Sequence, residues 1–122
     1  YGRITAINMD SGDHVWQVAN ADTPESIANN PLLKGITIPR TGVATRAGLL
    51  LTKTLLFAGE SAGGSNKLRA HDKQTGDILA EFELPASQTG VPMTYEHNGK
   101  QYIAMFVSGR GAVAELVAYA LP

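Results

Sequence analysis

The stretch AINMDSGDHVW, residues Ala6 to Trp16, returns sixty-four positions later as AHDKQTGDILA, Ala70 to Ala80. Both read small residue, spacer, Asn or Asp, two spacers, Ser or Thr, Gly, Asp. The first copy ends in the only Trp of the chain, and the second carries Ala80 there. A third, partial copy closes the chain. ITAIN, LRAHD and LVAYA align on Ala6, Ala70 and Ala118, with Ile4, Leu68 and Leu116 two places earlier. Upstream of the second and third copies, LLFAGESAGGSNKLRA parallels IAMFVSGRGAVAELVA: an apolar strand, a Gly-rich loop, then the small-residue strand.

The pattern has a mechanical reading. The side chain of Asn8 or Asp72 is placed to bond backbone groups of the following turn. Gly12 and Gly76 supply a turn conformation that other residues resist. Trp16 projects from the next strand as a large apolar surface, with an indole N–H that needs an acceptor. Ala6 and Ala70 leave room for a flat ring.

Short apolar or alternating runs punctuated by Gly predict strands along most of the chain. RITAIN places Ile4 and Ala6 on one face, and DHVWQV places His14, Trp16 and Val18 on one face. AGLLLT and LLFAG form a hairpin around Thr52, Lys53 and Thr54. KLRAHD and DILAEFEL follow. The latter alternates, with Ile78, Ala80, Phe82 and Leu84 expected inward. VPMTYE turns at Asn98–Gly99 into QYIAMFV, because both turn residues tolerate positive φ. Residues 20–42 break the rhythm with three prolines. There Thr23, Pro24 and Glu25 read as N-cap, first-turn proline and first-turn acid of a short helix over Pro24 to Asn29.

Lettering the strands A to D gives C and D at residues 1–19, a loop with a short helix at 20–45, a complete set at 46–84, and A to C at 91–122. The expected fold is therefore all-β: a partial β-propeller of about two and a quarter four-stranded antiparallel blades. So few blades cannot close a ring. The chain is expected to be a piece of a larger propeller, its missing D strand coming from elsewhere in the full protein. Open blade edges lead us to expect that the isolated piece self-associates, completing its last blade with a strand from another copy.

Composition narrows the function classes. Hydrophobic residues make up 43% of the chain, enough for a core, and ten basic residues face eleven acidic ones. That balance argues against a nucleic-acid surface. With no cysteine, disulfides, thiolate metal sites and thiol catalysis are excluded for this chain. No apolar run reaches a membrane-span length, and the opening YGRITAI is not a signal peptide. His14 is read as a packing or hydrogen-bonding residue, and His71 and His97 as surface residues. Asp10, Asp13, Asp72 and Asp77 fall in two separate turns and do not make a calcium loop. GESAGGS lacks a phosphate-loop ending. Gly59 to Gly63 has nucleophile-elbow spacing, but in a strand-to-strand context. No catalytic or metal-ligating residue is assigned.

The repeat and the stretch GVPMTYEHNGKQYI resemble the C-terminal part of the pyrroloquinoline quinone (PQQ) dependent glucose and alcohol dehydrogenases. AINMDSGDHVW is similar to that family's tryptophan-docking motif, and LVAYALP to its ending; the likeness spans nearly the whole chain. It implies an eight-bladed, periplasmic propeller that holds PQQ and a calcium ion near its axis and oxidises a sugar or alcohol. An Asp would serve as base while hydride passes to the quinone. In the family that Asp and the calcium ligands lie upstream, so this segment alone would be inactive. Consecutive strands alternate in direction, so D–A connections and B–C loops share one face of the ring. On that face, Arg40, Thr41, Gly42, Gly90, Val91, Gly109 and Arg110 are the expected cofactor-binding residues: Gly permits close backbone approach and Arg suits the carboxylates of PQQ. A non-catalytic propeller scaffold that binds protein partners is the competing class, since such propellers carry the same docking motif.

Overall fold

The computed structural model describes residues 1–61, 64–109 and 111–120. Among them run nine strands: β1 (Arg3–Ile7), β2 (His14–Ala19), β3 (Leu49–Leu51), β4 (Leu55–Gly59), β5 (Lys67–Asp72), β6 (Ile78–Glu83), β7 (Met93–His97), β8 (Lys100–Gly109) and β9 (Ala112–Ala120). Each pairs antiparallel with its sequence neighbour, giving sheets of two, four and three strands in meander order. The chain divides into two compact units, Tyr1–Thr45 and the part from Arg46 onward. No helix among the described residues is long and apolar enough to cross a membrane.

The repeat is reproduced in the backbone. Asn8 Oδ1 accepts from the amides of Asp10 (2.8 Å) and Ser11 (3.3 Å). Asp72 Oδ1 accepts from those of Gln74 (2.7 Å) and Thr75 (3.1 Å). The Gly12 and Gly76 amides close the turns on the Asn8 and Asp72 carbonyls, with φ +78° and +81°. Even the bulge recurs, after Ala6 in one copy and after Ala70 in the other. Trp16 stands directly across from Ala6, and Ala80 across from Ala70.

In the first unit the Asn20 amide donates to Gly2 O and the Val43 amide to Asn20 O, so residues 42–43 run back beside the sheet. Gly42 is required there. Its φ is +71°, and a Cβ would stand 2.6 Å from the Asn20 carbonyl oxygen and nearer still to that of Gly2. The helix α1 (Glu25–Ala28) forms, but without the expected cap: Pro24 holds the N-cap position with no side-chain bond. The Thr23 hydroxyl is taken up elsewhere, accepting from the Thr41 amide at 3.2 Å. A 3-10 turn follows at Pro31–Leu33, capped by Asn30.

In the second unit the core lies between two sheets. Phe57, Leu68, Ala70 and Leu84 pack against Ile103, Met105 and Val107, and each large side chain so buried contributes about 1.5–3 kcal/mol. Asn98 and Gly99 adopt positive φ and turn β7 into β8 as expected. Two expectations fail. Phe82 is 47% exposed, because it lies on β6, the outermost strand of its sheet, beyond the reach of the three-stranded layer. His71 is 1% exposed rather than a surface residue. It sits on β5, which has neighbours along both edges and is covered on both faces. Its Nδ1 lies 2.9 Å from the Gly76 carbonyl oxygen, and since a carbonyl only accepts, Nδ1 carries the proton.

Candidate functional site

The alternation of KLRAHD puts Leu68 and Ala70 toward the core and Arg69 and His71 on the opposite face. Because that face is also covered, the guanidinium of Arg69 is buried at 2% exposure. A buried charge must be paired. Arg69 Nη1 bonds Glu60 Oε1, and Nε donates to Glu81 Oε1 at 2.7 Å. Glu60, itself 2% exposed, also accepts from Ser65 N (2.6 Å) and Ser65 Oγ (2.9 Å). Lys67 Nζ donates to Glu81 Oε2 at 3.2 Å. The Arg69 hydrogen bond above all, then Lys67, holds the Glu81 carboxyl below its ordinary range, against the upward push of burial.

This network ties Ser65 to Glu60, and the connection after β6 bonds the residues on either side. Leu84 N donates to Asn66 O and Gln88 N to Glu60 O, while Ser87 Oγ donates to Asn66 Oδ1 at 3.0 Å. Farther along, Thr89 N and Ser108 N bond Phe106 O and Ser87 O. In the second unit, then, the D–A connection and the ends of two B strands gather at one end, as strand alternation requires.

The expected cofactor-binding residues are divided between the two units. In the first unit Arg40 and Thr41 line a cleft of about 310 Å³ with Tyr1, Arg3 and Gln17. Arg40 Nη2 donates to Asp22 Oδ1 at 2.7 Å, both side chains partly exposed. Thr41 Oγ1 is buried with no partner among the described residues. Gly42 does not line this cleft; its missing side chain makes room for backbone. In the second unit Gly90 lies under Phe106 and Val91 packs over Gly48. Gly109 lies at the other end of the 86–90 segment, near Ala86. Arg110 lies outside the described residues. Among those described, no group of three or more His, Asp or Glu side chains is arranged to hold a metal ion.

Sequence reading missed Glu60, Arg69, Glu81 and Gln88. The usable signal was strand order: a strand in the middle of a four-stranded blade is covered on both faces, so its polar face must find internal partners.

The profile of the family described as glucose/ethanol/alcohol dehydrogenase, beta-propeller domain (PQQ), matches residues 1–103. The chain belongs to this family. Its sheets are accordingly blades and parts of blades, and the fold is a partial β-propeller. Quinoprotein glucose dehydrogenase A of Acinetobacter calcoaceticus is 34% identical over 128 residues, covering 100% of this chain and 15% of the relative. The glycerol dehydrogenase large subunit of Gluconobacter thailandicus is 37% identical over 134 residues, covering 100% of the chain and 17% of the relative. Subunit 1 of the methanol dehydrogenase (cytochrome c) of Methylobacterium organophilum is 49% identical over 106 residues, covering 86% and 13%. The chain thus spans less than a fifth of the length of these relatives. Among solved structures, a quinohemoprotein alcohol dehydrogenase from Pseudomonas putida HK5 shares the fold, with TM-score 0.58 and 20% identity over 86% of this chain and 12% of that one.

The residues present fit the cofactor in part. Thr41 Oγ1 is a buried polar atom awaiting a partner, beside a guanidinium, which suits a group bearing carboxylates. The packing around Gly42 explains that glycine without a ligand.

Proposed function

We propose that this chain is the C-terminal part of an eight-bladed, periplasmic PQQ-dependent dehydrogenase that oxidises a sugar or an alcohol. Residues 1–19 are strands C and D of one blade, 20–45 a connecting loop with a short helix, 46–84 a complete blade, and 91–122 strands A to C of the last. Ala6 to Trp16 acts as the tryptophan-docking latch between blades, and the rest of the propeller chain is its partner. The observation that carries this reading is the family match over residues 1–103.

PQQ, when bound, supplies a two-electron acceptor for hydride. On this chain Arg40 and Thr41 would hold its anionic edge, and Gly90, Val91, Gly109 and Arg110 are the further cofactor-binding residues of this reading. The catalytic base and the calcium ligands belong to other blades, so the isolated segment is inactive. The isolated segment also self-associates, completing its last blade with a strand from another copy and covering its exposed apolar sheet face.

The test is titration of the full-length protein with PQQ and calcium, followed by dye-reduction assays with aldoses and alcohols. Spectral binding with turnover supports the dehydrogenase. Absence of both supports a non-catalytic scaffold. Arg40→Ala and Arg110→Ala should weaken PQQ binding; unchanged affinity in both removes these residues from the site.

A further inference from the structure

Gln88 is 0% exposed, and its side-chain amide bonds two separate segments. Nε2 donates to the Gly48 carbonyl at 2.8 Å and to the Gly90 carbonyl at 2.7 Å. Both partners only accept, so the amide has one orientation: nitrogen toward them, Oε1 toward Gly59. Gly48 immediately precedes β3 and Gly90 lies just before β7, the first strands of two consecutive sheets. A single amide therefore ties together the entry points of neighbouring blades. The surroundings leave space for nothing else. A Cβ at Gly59 would stand 2.9 Å from the Gln88 Cδ, and a Cβ at Gly48 would stand 2.7 Å from the Val91 Cγ2. The Gln88 backbone N–H in turn donates to the Glu60 carbonyl at 2.9 Å, on the residue that Arg69 holds.

We infer that Gln88 is a positioning residue for the cofactor. It sets the separation of Gly48 from Gly90 and Val91, and so the shape of the wall formed by the first strands. The inference rests on the cofactor reading above. Asn at this position is one methylene too short to span both carbonyls. Met has the length but no donor, and would take the amide donor away from two part-buried carbonyls.

The experiment compares Gln88→Met with Phe57→Leu in the full-length protein. Phe57 lies in the core and bonds neither Gly48 nor Gly90 through its side chain, so its truncation lowers stability while leaving the Gln88 hydrogen bonds in place. PQQ affinity is read by absorption titration, stability by thermal unfolding, and local order by amide hydrogen exchange. Gln88→Met should lose about tenfold in PQQ affinity, while Phe57→Leu, at an equal or larger fall in Tm, keeps it. Exchange should quicken together at Leu49–Leu50 and Val91–Met93. Equal affinity in the two variants overturns the inference. If Gln88→Met does not fold, Gln88→Asn carries the same comparison, with a smaller loss. If the wild type takes up no PQQ, the cofactor reading falls and hydrogen exchange alone decides. Unchanged exchange at both strand starts overturns the tie, and coupled quickening upholds it.

Discussion

Arg69 is held between two carboxylates, one buried with it and one near the surface. Removing one member of such a set leaves the other charged, dry and unpaired. Arg69→Leu should therefore destabilise the protein by about 3–5 kcal/mol, measured by urea unfolding. The double variant Arg69→Leu/Glu60→Gln should recover much of that loss, because the stranded carboxylate is gone. Glu81 makes the network sensitive to acid. Its folded pKa is depressed, so its contribution is fully present above the unfolded value of about 4.3 and is lost as pH falls through the folded value. The urea midpoint should drop below that pH in the wild type, and less steeply in Glu81→Gln. None of this was legible residue by residue. Arg69 and His71 alternate with apolar neighbours just as surface residues do, and nothing local says that the second face is covered.

Elements were more legible where the signal is local. Asn98–Gly99 and the two Asx turns are written in residue types that select a backbone, and each formed as expected. The two turns make the same bonds from different side chains. Exchanging residues 8–13 with 72–77 should therefore change the free energy of unfolding by no more than about 0.5 kcal/mol, a difference that chemical denaturation of the two proteins would resolve. The helix start was less legible. Thr23–Pro24–Glu25 has cap chemistry, yet the hydroxyl serves the returning segment at Thr41, a partner eighteen residues away that no local rule anticipates. Strand β6 alternates as read, but Phe82 lies past the end of the layer that would cover it.

At the scale of the molecule, strand order and blade grouping followed from the repeat, whereas the polar contacts between blades did not. Register extends the comparison. Phe57 pairs with Ala70 and Gly59 with Leu68, as Ala104 pairs with Ala118 and Phe106 with Leu116. The first set faces the core between the sheets. The second bears Met93, Phe106 and Leu116, each more than half exposed, beside the stacked Tyr95 and Tyr102 rings. This face is built like the covered one and is open. Light scattering of the 122-residue chain should show a mass that rises with concentration, and Phe106→Ser/Leu116→Lys should return it toward one chain. A single-chain mass across the whole range would count against that.

The turn carried by Asn8 has a practical side. Met9 stands at its tip, 90% exposed, at the end of the β1–β2 hairpin opposite the Arg40–Thr41 cleft, and Asn8 holds the turn by accepting from the amides of Asp10, Ser11 and Gly12. The chain has no cysteine, so Met9→Cys would provide a thiol unique within it. An electrode or surface tethered there would anchor this unit by the end remote from the cleft and leave the cleft facing solution.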